Sequence, residues 1–332
     1  MQIRRRRLAT AALALGGASA FIGGRASAQA RVLRFGHLHS VDSPVHKGIA
    51  RAAEEIEKAT SGRYKVNIFP SSQLGAAREM VSQVIDGTLD FISEGPGSLS
   101  NLDRALSFFE APFVARDWGH LLKMLDSPFG RQRVGVLADQ RNMVHLGTFY
   151  YGVRHFTTKT RALNTAADAK GLKIRVPEAP LFLAMIRALE ATPTPMSLGE
   201  VYLSLQTGVA EGQENPLPTI NNNKFFEVQK FLNLTGHVIV PIMIMMNRKA
   251  WDPMGDADKA AFRAAFAAGA KVNDDLTRAD EARLVDFFKE KGMTVVNSDR
   301  ASFQKRMTAV YELGEKDFNW GKGTFDAMQA LS

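Results

Sequence analysis

Residues 171–220 read GLKIRVPEAPLFLAMIRALEATPTPMSLGEVYLSLQTGVAEGQENPLPTI. Within them, Leu172-Lys173-Ile174-Arg175-Val176 alternates apolar and basic side chains, the period of a half-buried strand. Leu172, Ile174 and Val176 share one face, and Lys173 and Arg175 share the other. Pro177 ends the strand because it has no N–H to give to a ladder. Arg175 therefore stands at the C-terminal lip of its strand, where open α/β sheets bind ligands. A guanidinium there is either a solvated strand-end charge or a planar fork for a carboxylate. Spacing alone leaves both readings open. Further on, Gly212-Gln213-Glu214-Asn215-Pro216 gathers amides and a carboxylate in what reads as a turn.

Working outward, the chain alternates strands and helices. Strands are expected at 32–37, 64–70 and 89–93, with helices at 44–59 and 76–85 between them. Ser43 caps the first helix and Pro44 opens it. This β-α-β-α-β order is the mark of a parallel sheet. A strand is expected at 143–149, and 150–156 reads as a crossing into a second lobe with the same alternation. The apolar run 238–246 suits a strand buried on both faces. Residues 256–291 are helical in pattern, free of proline and long enough to span two lobes.

The 332 residues are 45% hydrophobic and include no cysteine. That is enough for one large or two medium lobes. It excludes disulfides, thiol nucleophiles and thiolate metal sites. Residues 1–30 read as an export leader: a basic start at Arg4 to Arg7, a short apolar stretch, and the cleavage signature Ala28-Gln29-Ala30 before Arg31. Arg5-Arg6-Arg7-Leu8 and Arg25 favour the twin-arginine route over Sec, and either route ends in the periplasm. The apolar stretch is too short to span a bilayer, so a mature protein outside the membrane is expected. The leader carries five arginines and no acid, so its removal lowers the formal net charge from +8 to +3. No basic stripe remains, and no nucleic-acid partner is expected. There is no G-x-S-x-G and no H-E-x-x-H, and His37-x-His39 lacks a third ligand. Neither catalysis nor a metal or other cofactor is expected.

Six pieces occur in order: Ser71-Ser72-Gln73-Leu74-Gly75, Gly171 to Val176, Pro193-Thr194-Pro195-Met196, Glu200-Val201-Tyr202, Leu205-Gln206 and Gly212 to Pro216. In register, they resemble the solute-binding proteins of TRAP (tripartite ATP-independent periplasmic) transporters, the C4-dicarboxylate and sialic-acid type. The resemblance implies an α/β periplasmic binding protein fold of two lobes that close over one organic anion. Crossing strands and a long helix would join the lobes. Lobe I would comprise 31–151 plus about 240–279, and lobe II 152–239 plus about 280–332. It further implies that Arg175 pairs with the ligand carboxylate, Arg154 and Asn215 assist, and Glu94 faces the cleft from lobe I. The partners implied are a small organic acid and, transiently, the membrane permease subunits, with the binding protein a monomer.

Two positions depart from the family pattern. Leu198 stands where an aromatic is common, and Glu178 follows Arg175-Val176-Pro177 where a neutral amide is usual in the sialic-acid binders. Glu178 is either a ligand contact or a partner that positions Arg175. With Glu94 and Glu178 both in the cleft, a second bare carboxylate is repelled, which points to a sugar acid such as a uronate; a C4-dicarboxylate is the alternative. His37 and His39 leave the first strand at its end and could donate to ligand hydroxyls. A ligand-loaded sensor docking on a signalling receptor would use the same pocket.

Overall fold

The structure is a computed structural model and describes residues 30–331. Apart from Ala30, the leader read at 1–30 lies outside the described residues. The first strand, β1 (Arg31–Gly36), pairs in parallel with β2 (Tyr64–Phe69) on one side and β3 (Phe91–Glu94) on the other. The helix Pro44–Ala59 follows β1; Ser43 Oγ accepts the His46 N–H at 3.1 Å, as a capping serine should. The helix Ala77–Asp86 ends at Gly87, whose φ of 85° is the left-handed closure that glycine allows.

Two long strands carry the rest of the sheet. β4 (Met143–Thr158) is 16 residues and β8 (Phe231–Asn247) is 17. They pair antiparallel along almost their whole length, roughly 50 Å at about 3.4 Å per residue. One end of β8, Met243 to Met246, pairs with β3. The other end of β4, Arg154 to Thr158, pairs with β7 (Gly212–Pro216). Beyond β7 lie β5 (Lys173–Val176) and β6 (Thr192–Pro195), all three parallel. With β9 (Thr294–Val296) alongside β8, the nine-stranded sheet runs β2-β1-β3-β8-β4-β7-β5-β6.

The crossing expected at 150–156 lies within β4, which runs through it without a break. Register shifts at Tyr150/Gly152 and Arg154/Phe156 bend the strand where it passes between the halves. Gly152 has φ 118°, and a Cβ there would stand 2.9 Å from Pro216 Cβ. A correction concerns 212–216: it is the buried strand β7, not a turn. After β3 the chain turns into the short helix Pro96–Leu99.

The helix Asp256–Glu290 is continuous over 35 residues. Phe262 and Phe266 at one end pack with Phe35, Phe91 and Phe149 of the β1–β3 half. Leu284 and Phe288 at the other end pack with Val201, Leu205 and Phe225 of the β5–β7 half. It is a rod shared by two cores. The C-terminal helices close a third core, where Trp320 meets Phe108 edge-on at 5.2 Å.

The first helix and the long helix meet at two glycines. A Cβ on Gly48 would stand 2.7 Å from the Gly269 carbonyl and 2.8 Å from the Phe149 ring. Gly48→Ala is expected to cost about 1–3 kcal/mol by forcing this contact apart. Urea unfolding would show it as a lower midpoint with an unchanged slope.

Candidate functional site

A cavity of about 330 Å³ opens between the two halves. Leu38, Glu94 and Glu110 line it from the β1–β3 side, and Arg175, Phe182 and Asn215 from the β5–β7 side. Tyr151 and Arg154, on β4 where the halves join, form its base.

Arg175 is anchored by its strand. Ile174 and Val176 on either side are fully buried, and Arg175 itself is 3% exposed. Its Nη2 donates to the Met196 carbonyl at 2.7 Å, while Nε has no partner. Burial holds its pKa down to about 10, helped by the neighbouring Arg154 charge and opposed by Glu214. A buried cation with a spare donor on a cavity wall favours an incoming anion. The reading of Arg175 as a solvated strand-end charge does not hold.

Arg154 is already matched. It holds Glu214 with both Nε and Nη2, the latter at 2.7 Å, and Nη2 also reaches the Glu214 carbonyl at 2.7 Å. His237 Nε2 meets the same carboxylate at 3.2 Å. Burial alone would push Glu214 up, but Arg154 more than offsets it and holds the carboxylate below its usual range. Burial likewise opposes the Arg154 charge, and Glu214 outweighs it. The Arg154 guanidinium also lies 5.0 Å from the Phe182 ring centre.

Asn215 lines the cavity, with Nδ2 held by Gln213 Oε1 at 2.6 Å. Gln213 in turn donates to Thr157 on β4 at 2.9 Å. Glu94 ends β3 and is 4% exposed, and its Oε1 has no partner. Burial pushes its pKa up to about 8, with Glu110 adding repulsion and Ser98 and Gly95 opposing. Glu178 is exposed at the mouth, and its carbonyl accepts from Asn101 Nδ2 of the opposite half at 3.3 Å.

His37 is not brought to the cavity. It is fully buried, bonded to His46 at 3.0 Å, and its Nδ1 accepts the His39 N–H at 3.1 Å. The ring on the cavity wall is His39, whose Nε2 has no partner and which packs 5.1 Å from Tyr151.

The family model "Bacterial extracellular solute-binding protein, family 7" (DctP) matches residues 35–317. The chain belongs to this family. The sialic acid-binding periplasmic protein SiaP of Vibrio cholerae is 36% identical over 302 residues, covering 91% of this chain and 93% of that protein. A TRAP periplasmic solute binding protein from a Polaromonas species, bound to D-erythronate, matches with TM-score 0.86 at 34% identity, covering 91% of this chain and 99% of that one. Another from Roseobacter denitrificans, with bound β-D-glucuronate, matches with TM-score 0.87 at 29% identity, covering 91% and 100%. These are substrate-binding proteins rather than enzymes, and their two-lobed architecture is the one described above. Among the described residues, no helix of this family-7 protein is long and apolar enough to cross a membrane.

Sequence reasoning on this solute-binding protein missed Glu110, Tyr151 and Phe182, and of the two histidines it named, only His39 lines the cavity. Tyr151 was within reach, since it sits beside Gly152 at the crossing. Glu110 was hidden among Phe108, Phe109 and Pro112, neighbours that signal core.

Two expectations follow from the buried charges. Glu214→Gln removes the counter-charge of buried Arg154 and is expected to cost about 3–5 kcal/mol of stability in chemical unfolding. The second concerns pH. The folded value of about 8 for Glu94 lies above its ordinary 4.5, so the folded state holds a proton the unfolded chain has lost, and stability falls as pH rises between them. Glu110, at about 7, acts in the same sense. His37, His39 and His155 lie below their ordinary 6.5 and lose stability only as pH falls beneath it. The melting temperature of the ligand-free protein is therefore expected to drop between about pH 7 and 8.5, and Glu94→Gln to flatten that drop. An equally steep drop in the variant rules out Glu94 as its source.

Proposed function

We propose that this family-7 protein is exported to the periplasm, where it captures a polyhydroxylated monocarboxylic acid and passes it to a TRAP-type permease. The ligand carboxylate sits on Arg175, with Asn215 beside it and the Arg154–Glu214 pair fixing the floor. The observation that carries this reading is a buried, under-bonded arginine on one wall of a cavity whose opposite wall bears the unpartnered Glu94 oxygen. One end of the cavity suits an anion, and the other suits hydroxyls. The erythronate and glucuronate bound by the two structural relatives are both hydroxylated monoacids, which supports the same class here. Sialic acid, named for the Vibrio relative, is also a sugar monoacid and is the second candidate.

In this reading, lobe I is 31–151 plus about 240–279, and lobe II is 152–239 plus about 280–332. The lobes draw together over the ligand, and Glu178 at the mouth meets the solvent-facing edge of the bound acid. The protein acts as a monomer and meets the permease transiently. Cleavage after Ala30 on a twin-arginine leader releases the mature chain.

Calorimetry tests the core of this. The mature protein is expected to bind D-glucuronate, D-erythronate or sialic acid with a rise in melting temperature. Arg175→Ala is expected to weaken that binding by about 2–5 kcal/mol, the cost of unpairing a buried charge. A variant that binds within a factor of about two of wild type, well under 1 kcal/mol, sinks the assignment of the carboxylate to Arg175.

A further inference from the structure

Across the cavity from Arg175, two acidic side chains from distant parts of the sequence share one wall. Glu94 ends β3, and Glu110 ends the 3₁₀ helix Arg104–Glu110. Both line the cavity, at 4% and 3% exposure. Glu110 reaches it only because two glycines stand aside. A Cβ on Gly95 would lie within van der Waals overlap of Glu110 Oε1, and one on Gly97 would overlap Oε2. The Gly97 N–H instead donates to Oε2 at 2.9 Å. Glu110 is thus tethered by backbone, and Glu94, held by Ser98 and Gly95, lines the same cavity with a buried Oε1 that has no partner.

We propose that Glu94 and Glu110 together form a carboxyl wall that selects the far end of the ligand, accepting hydroxyl groups and rejecting a second carboxylate. This rests on the sugar-acid reading and adds the residues that set its specificity. Glu110, not Glu178, is the partner of Glu94, because Glu178 is exposed at the mouth where solvent screens it. The cations offset the wall only in part. Arg154 favours the charged form of Glu110 but is bonded to Glu214, Arg175 faces the ligand carboxylate, and Arg78 at the rim is exposed.

The groups around the wall set how its charge varies. Glu94 faces Glu110 and, on β4, Tyr151; Glu110 faces Arg154 on β4 and Glu214 on β7. His39 on the neighbouring loop is neutral at these pH values, its pKa held near 4 by burial. Burial holds Glu94 near 8 and Glu110 near 7, so the wall gains negative charge as pH rises through the neutral range. Rejection of a second carboxylate grows with it.

D-gluconate and D-glucarate differ only in the far end, a hydroxymethyl against a carboxylate, and so isolate this wall. Calorimetry on the mature wild type is expected to give gluconate the tighter binding by roughly 10–100-fold at neutral pH. That ratio should widen from about pH 6 to 8.5 as the wall ionises. In Glu94→Gln/Glu110→Gln the ratio should shrink about tenfold or more and lose its pH dependence, with Arg175 untouched. If the double variant does not fold, the pH dependence of the wild-type ratio decides alone. A wild type that binds gluconate with a ratio flat in pH, or a folded variant that keeps the wild-type ratio, overturns the wall and leaves the sugar-acid reading standing. A wild type that binds no hydroxylated monoacid overturns both.

Discussion

A strand of sequence Gly-Gln-Glu-Asn-Pro can lie in the middle of a sheet only if every polar side chain on it is met. Here each one is. Glu214 takes the forked guanidinium of Arg154 and the ring of His237, and Gln213 bridges Thr157 and Asn215. An unmatched carboxylate at that depth would cost several kcal/mol, and losing one member of a buried pair costs about as much as many small domains have to spare. The Arg154–Glu214 pair therefore does two things. It lets β7 join β4, and it fixes the floor against which Arg175 and Asn215 are held. The same ion pair serves both the sheet and the cavity beside it.

The two walls of the cavity are complementary in what they lack. On one side a guanidinium is held by a single backbone carbonyl and keeps a donor in reserve. On the other a buried carboxyl keeps an acceptor in reserve. Both groups have pKa values shifted toward neutrality by burial, the arginine downward and the glutamate upward. A buried guanidinium with a spare donor favours an anion beside it, and a buried carboxyl kept neutral by desolvation favours uncharged polar groups.

Much of this was legible in the sequence where periodicity speaks. The alternation through β1, β2 and β3, the proline-free helix to Glu290 and the apolar core of β8 all follow from spacing. Arg175 was legible as a strand-end charge, but its burial was not, because period-2 counting cannot tell a solvated face from one covered by the other lobe. β7 was misread because Gly212, Asn215 and Pro216 are turn-forming types, and the partners of Gln213 and Glu214 lie some sixty residues away on β4. His37 and His39 are two apart and look equivalent by alternation. The strand ends at Gly36, and past it the parity no longer holds. Glu110 depends on the absence of side chains at Gly95 and Gly97, a fact about space that no local pattern encodes.

The pairing of β3 with β8 carries a consequence for how the chain is made. Glu94 finds its partner Met243 only after most of the polypeptide has been synthesised. Until then the β3 edge, with Phe91 and Ile92 beside it, has open backbone groups and apolar side chains with nothing to cover them. The first lobe cannot complete its sheet from its own N-terminal segment, however stable that sheet is once finished. Assembly waits on a distant ladder, the kind of non-local contact that slows folding in general.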